Sequence, residues 1–249
     1  MESPPEAQLR LLDLQEVDSA VDRLAHRRRT LPELTAIERL EERLAELRDQ
    51  VVRVETEIGD IDREQRKVEN DVDVVRSRIE RDQSRLDTGA VGSAKELESL
   101  QHEVGSLGRR RADLEDLVLE HMERREDADG RLRTLTDERA QLTAALEAAE
   151  ATRDATSAEI DRDTADHVRT RTTLSTELAG PLLDLYEKIR ASSGGVGAAA
   201  LHRGRCEGCH LALPPTDLSR IKSAAPDEVL RCEECRRILV RRPDSGVGD

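Results

Sequence analysis

From Ile37 onward the apolar positions advance by three and four residues without a slip. The series is Ile37, Leu40, Leu44, Leu47, Val51, Val54, Ile58, Ile61, Val68, Val72, Val75, Ile79 and Leu86. Only Gln65 and Asp82 interrupt it. A spacing of this kind predicts one long helix with a heptad seam, the pattern of a coiled coil. Leu14, Val17, Val21, Leu24 and Leu31 follow the same rule in another phase, which changes at Leu31-Pro32-Glu33-Leu34. Pro32 has no amide hydrogen for the helix ladder, so a break is expected there.

The pattern stops at Asp87-Thr88-Gly89-Ala90-Val91-Gly92, a segment suited to a reversal. Ser93-Ala94-Lys95-Glu96 then reads as a capping box. A second run follows through Leu97, Leu100, Val104, Leu107, Leu114, Val118, Leu132, Leu135, Leu142, Leu146 and Ile160. Two helices joined by so short a turn should pack antiparallel. Arg111, Arg125, Arg139 and Arg153 occupy inferred seam positions. Their long stems can cover the seam while the heads reach acidic neighbours, or they can set register. Gly180-Pro181 should break the second helix and start a short one.

This organisation gives a mainly α chain with a small β module. Residues 1–190 form an antiparallel coiled-coil hairpin, with its tip at 87–93 and a break at 180–181. Residues 191–197, rich in Ser and Gly, form a hinge. Residues 198–249 form the C-terminal module.

Composition narrows the class. The 249 residues include no Phe, no Trp and one tyrosine, Tyr186. A thick single-core enzyme fold normally buries several aromatic rings, whereas a two-helix seam needs only Leu, Val and Ile. The net charge is −14, which excludes attraction of the whole chain to polyanions. Residues 1–195 carry 31 basic and 46 acidic side chains, while 196–249 carry 9 and 8. The start MESPPEAQLR lacks the features of an export signal, and no run of 18 apolar residues exists. A cytoplasmic protein with reduced cysteines is expected.

All four cysteines lie in the C-terminal module, as Cys206-Glu207-Gly208-Cys209 and Cys232-Glu233-Glu234-Cys235. Two C-x2-C pairs can supply the four thiolates that one tetrahedral zinc requires. A redox pair and an iron–sulfur cluster are the competing readings. The first lacks a βαβ setting and the second has different spacings. Four protein thiolates close a zinc site, so the metal would be structural, with no open position for catalysis. His202 and His210 read as bystanders. Ala198 to His202 should lead into the first knuckle as a strand, Pro214-Pro215 should open a short helix, and residues 229–231 and 238–240 should pair as a hairpin. So small a module should depend on metal to fold.

Seven arginines crowd this module: Arg203, Arg205, Arg231, Arg236, Arg237, Arg241 and Arg242. They suit nucleic-acid phosphates, or they are ordinary surface charge offsetting the metal site. No aromatic platform for base stacking accompanies them. No nucleophile–base pair or phosphate-binding glycine loop points to an enzyme.

These features together resemble the bacterial C4-type zinc-ribbon family with an N-terminal coiled-coil hairpin, in its actinobacterial branch. The resemblance rests on LLDLQEVDSAVDRL (11–24), LPEL (31–34), TGAVGSAKELESLQHEV (88–104), GVGAAAL (195–201) and CEGCHLALPPTDLSRIKSAAPDEVLRCEECRRILV (206–240). Only four of the 40 basic residues are lysine, which fits that branch. The resemblance implies a non-enzymatic protein whose one structural zinc is held by Cys206, Cys209, Cys232 and Cys235. One departure stands out: related ribbons commonly have glycine where this chain has Arg236. Members of the family have been linked to RNA binding and to chaperoning or scaffolding of flagellar and secretion partners. The expected function is therefore an adaptor whose ribbon contacts nucleic acid, RNA more than DNA. The alternative is a scaffold that docks proteins through hairpin and ribbon. Neither a membrane nor a small-molecule substrate is expected, and the seam can close within one hairpin or recruit a second copy.

Overall fold

The computed structural model describes residues 1–178 and 180–246. The last three residues of the expected module, 247–249, lie outside the described residues. Among the described residues, five helices and four short strands follow in order: α1 (Pro5–Arg29), α2 (Pro32–Asp87), α3 (Ala94–Glu177), α4 (Pro181–Ser192), β1 (Ala198–His202), β2 (Arg205–Cys206), α5 (Pro215–Ser223), β3 (Leu230–Arg231) and β4 (Ile238–Arg241). The chain is mainly helical, with a helical hairpin followed by a small strand region. It forms two compact units, residues 35–150 and residues 1–34 with 151–249.

In the first unit α2 and α3 run antiparallel. Arg43 meets Glu138 at 2.8 Å, Glu57 meets Arg131 at 2.7 Å and Asp62 meets Arg125 at 2.7 Å. Towards the tip Arg78 pairs with Glu103, and Arg85 meets Glu96 at 3.1 Å. As the α2 number rises the α3 number falls, so one register holds throughout. Leu47, Val51, Val54, Ile61 and Val72 are buried along α2, as the heptad pattern requires. On α3 the fully buried residue opposite Val54 and Ile61 is Ala128, which the Leu/Val pattern does not pick out. Leu97, by contrast, is exposed.

Among the seam arginines, Arg111 reaches Glu115, Arg125 reaches Asp62 and Asp129, and Arg153 reaches Asp154. Three of the four heads thus meet acids, although the Arg111 Nε itself is buried, and Arg139 is exposed. At the tip, Ser93 Oγ accepts from the Glu96 amide at 3.2 Å. Glu96 in turn accepts from Gly92 rather than from Ser93, one residue further back than a standard box.

The second unit is built around a four-stranded sheet in the order β2-β1-β4-β3. The expected pairing of β3 with β4 is present, antiparallel, with Leu230 opposite Leu239. β1 lies parallel to β4, with Ala198 opposite Ile238 and Ala200 opposite Val240. Both central strands are buried on both faces, which explains their unbroken apolar sequences, Ala-Ala-Ala-Leu and Ile-Leu-Val. Strand alternation divides them. Ala198, Ile238 and Val240 face a helical core of Leu11, Leu14, Leu174, Leu182, Tyr186 and Ile189. Ala199, Leu201 and Leu239 face the cysteines, Leu213 and Ile221 of α5.

The 191–197 segment is therefore not a free hinge. Val196 is half-buried, and Gly197 and Ala198 are buried. Gln15 of α1 accepts from the Gly197 amide at 2.6 Å and donates to the Gly195 carbonyl at 3.0 Å. A Cβ on Gly197 would lie 2.7 Å from both the ring and the carbonyl oxygen of Tyr186. Ring and strand meet too closely here for any side chain, so a composition typical of a linker reflects close packing instead.

Beside this contact sits Asp18, only 1% exposed. Its carboxylate accepts from Tyr186 Oη at 2.6 Å and Arg171 Nε at 2.6 Å, with Arg190 Nε at 3.2 Å. Burial, reinforced by the Asp18 hydrogen bond, holds the Tyr186 hydroxyl protonated far above its ordinary range. Asp18→Ala would leave Arg171 with Glu187 and Arg190 with Asp22, so the cost should fall at the lower end for a broken buried pair, about 3 kcal/mol. Gly197→Ala should cost about 1–3 kcal/mol through overpacking. Urea unfolding monitored by the emission of Tyr186, the sole aromatic residue, measures both.

Candidate metal centre

Each C-x2-C pair closes a tight knuckle. In the first, the Cys206 amide donates to the Leu211 carbonyl at 3.1 Å and the His210 amide donates back to the Cys206 carbonyl at 2.7 Å. The second repeats this, from Cys232 to Arg237 at 3.0 Å and from Arg236 to Cys232 at 2.9 Å. The residue after each second cysteine turns left-handed, His210 at φ 61° and Arg236 at φ 61°. Arg205 donates to the His210 carbonyl and Arg231 to the Arg236 carbonyl, both at 2.8 Å. The two halves are thus one device used twice, Arg-Cys-Glu-x-Cys followed by a left-handed residue. This repeat is visible as RCEGCH and RCEECR, although the cysteine spacing alone does not draw attention to it.

The four Sγ atoms lie within 4.8 Å of one another. Cys206 and Cys235 approach to 3.9 Å across the two knuckles, as do Cys209 and Cys232. A ZnS4 tetrahedron with bonds of about 2.3 Å has sulfur–sulfur edges of about 3.8 Å, so the donors fit one zinc ion. Cys206 and Cys232 are buried, and backbone amides aim at the sulfurs. As a thiol, Cys206 is pushed up to about 12 by burial, against the pull of the Cys209 and Gly208 amides. Burial also raises Cys232. For Cys235 burial acts upward, but donors from Arg237 and the neighbouring thiols outweigh it, leaving this group low. Zinc must displace protons here, so its affinity should fall as pH falls. His202 and His210 stand outside the cluster: His202 Nδ1 meets Asp244 at 3.0 Å.

The seven arginines do not form one basic face. Arg237 donates to the carbonyls of Val196, Gly208 and Ser193 at 2.8–3.0 Å. Arg241 donates to Ala224, Ala225 and Pro226 at 2.5–2.9 Å and to Glu228 at 3.2 Å. Both are half-buried clamps that satisfy loop carbonyls. Arg205 and Arg231 brace the knuckles. Arg236 lies 3.4 Å from Glu233 and Arg242 lies 3.5 Å from Asp244. Arg203 is exposed and adopts φ 45°.

A model of the CT398-like coiled coil hairpin domain matches residues 14–194. The chain belongs to this family. Residues 205–239 match the C4-type zinc ribbon domain, so the cofactor is one structural zinc ion held by the four cysteines. An uncharacterized protein of Mycobacterium tuberculosis is 38% identical over 231 residues, 93% of this chain and 94% of that one. A Mycobacterium leprae relative is 33% identical over 221 residues, 89% of this chain and 94% of that one. A solved Mycobacterium smegmatis structure superposes with a TM-score of 0.85 at 34% identity, covering 97% of this chain and all of that one. CT398 from Chlamydia trachomatis shares the fold, with a TM-score of 0.69 at 20% identity over 95% and 98% of the two chains. The actinobacterial resemblance thus has direct relatives behind it.

Arg236 is left-handed at φ 61°, where a Cβ costs about 1–2 kcal/mol relative to glycine. Arg236→Gly should therefore stabilise the knuckle by about 1 kcal/mol, allowing for the greater chain entropy of glycine. Competition with a chelator should show tighter zinc binding in the variant. Native mass spectrometry should find one zinc per chain, and none after Cys206→Ser with Cys235→Ser. Chelation should also change Tyr186 emission, because Ala198, Ile238 and Val240 pack in the same core as the ring.

Proposed function

We propose that the protein is a non-enzymatic docking scaffold for other proteins, with zinc holding the ribbon in shape. The observation that carries this reading is how the ribbon arginines are used. Arg237 and Arg241 each satisfy three or more backbone carbonyls, and Arg205 and Arg231 each satisfy one. Arg237 and Arg241 therefore have few donors left for a phosphate, whereas Arg205 and Arg231 hold their guanidinium groups against the knuckles by one bond each. Arg203, Arg205, Arg231, Arg236 and Arg242 are on the surface, with Arg236 and Arg242 beside carboxylates. The chain's net charge of −14 also opposes polyanions.

A closed four-thiolate centre supports structure rather than turnover. Both matched domains are of structural type, which supports the absence of an enzymatic role. Among the described residues no helix is long and apolar enough to cross a membrane. The four unbridged thiols suit a reducing compartment, in support of a cytoplasmic setting.

Affinity capture from cells with and without nuclease tests the reading. Partner proteins should persist after nuclease treatment. Binding of labelled RNA or DNA should be weak and insensitive to Arg203→Ala, Arg236→Ala and Arg242→Ala. Tight, salt-dependent RNA binding that loses about one unit of salt slope per arginine removed would instead establish the nucleic-acid reading.

A further inference from the structure

The unit formed by residues 35–150 carries an apolar surface that its own two helices leave open. On α3, Leu119 is 58% exposed and Met122 51% exposed, three residues apart and so on one face. Leu119 lines both of two adjoining hollows between α2 and α3, of about 860 and 530 Å³. Together they make one groove, from Asp62 to Arg76 on α2 and from Glu115 to Asp129 on α3. Its length is about 21 Å, four turns of helix.

The charge lining this groove is acidic on balance, seven carboxylates against Arg66, Arg76 and Arg125. Residues 113–129 of α3 hold eight acidic and two basic side chains, a net charge of −6 with His121 neutral. Some acids of the hairpin have arginine partners across the helices, as at Glu57, Glu96 and Glu138, and Asp62 in the groove itself meets Arg125. Glu123 and Glu126, which line the groove beside Met122, have no ion-pair partner among the described residues. An apolar floor with unpaired carboxylates along its edge is complementary to a helix with an apolar stripe and basic flanks. The same charge opposes a second copy of this acidic chain, an anionic membrane and nucleic acid.

We propose that the groove between residues 62–76 and 115–129 docks one basic amphipathic helix of a partner protein, completing a three-helix bundle. This rests on the docking-scaffold reading and assigns it a surface and a partner chemistry. Leu119 and Met122 would enter the stripe of the incoming helix, with the flexible thioether adapting to its contour. Glu123 and Glu126 would take its lysines or arginines and fix its register.

The full-length, zinc-loaded protein can be titrated with two synthetic helical peptides of about 18 residues, five turns. Both carry the same leucine stripe, one flanked by lysines and the other by glutamates. The lysine peptide should bind saturably and the glutamate peptide should not. Glu123→Lys with Glu126→Lys should weaken the lysine peptide by about tenfold or more and admit the glutamate peptide. Leu119→Glu with Met122→Glu should also weaken the lysine peptide, although it adds negative charge. That result separates docking from diffuse attraction. Helical circular dichroism should be unchanged, since all four positions are on the surface.

Equal binding of both peptides, binding of neither, or no effect of either variant would overturn the proposal. So would a dimer, seen by sedimentation, that Leu119→Glu disperses. If nuclease-resistant partners remain bound to both groove variants in cells, the scaffold reading stands and the groove assignment falls.

Discussion

Burial of the Asp18 carboxylate is the constraint on which the unit containing the ribbon depends. A charge taken out of water must have every acceptor site filled. Asp18 meets that requirement through hydrogen bonds from Tyr186 of α4 and Arg171 of α3, with the charge of Arg190 from α4 close by. Gln15, one turn away on α1, then binds Gly197 and the Gly195 carbonyl. Residues far apart in sequence are thus fixed by one short stretch of α1. Such a network adds specificity more than raw stability: an apolar cluster of the same volume would tolerate several helix positions, whereas these bonds tolerate one.

Zinc acts on the other side of the same sheet. β1 and β4 are shared walls: Ala198, Ile238 and Val240 face the helices while Ala199, Leu201 and Leu239 face the cysteines. The metal organises two knuckles with little apolar content of their own. The helices supply the buried area that a module of this size lacks. A cut at 190 or 197, reasonable from composition, would therefore strip Ala198, Ile238 and Val240 of the helical core they pack in.

Much of this was legible in the sequence, and the reason is periodicity. The heptads of α2, the Gly-rich reversal, Pro32 and Pro181 are local signals, and the helices follow them closely. Cysteine spacing encodes the metal site because four thiolates have few other uses. Side-chain partnerships over long separations were not legible. Gln15 and Asp18 resemble ordinary polar residues of a helix, and nothing local marks them as partners of Tyr186. The parallel pairing of β1 with β4 joins segments some 40 residues apart and leaves no local pattern. Arginine posed the hardest case. Composition cannot distinguish a guanidinium facing phosphate from one facing loop carbonyls, and Arg237 and Arg241 do the latter.

The two units therefore differ in how they are specified. Around Asp18 and the cysteines the contacts are specific polar ones, and a substitution removes a hydrogen bond or a metal ligand around which the neighbouring elements are arranged. Along α2 and α3 the seam is a repeat of interchangeable aliphatic residues, closed by exposed ion pairs worth little individually. Such a seam tolerates change on its outer faces, so large apolar residues kept there need another explanation. Leu119 and Met122 lie in the most acidic stretch of α3, where solubility alone would favour polar residues. Carboxylates without partners beside exposed hydrophobic side chains contribute nothing to a two-helix seam. They are complementary to a third surface that is apolar at its centre and basic at its edge.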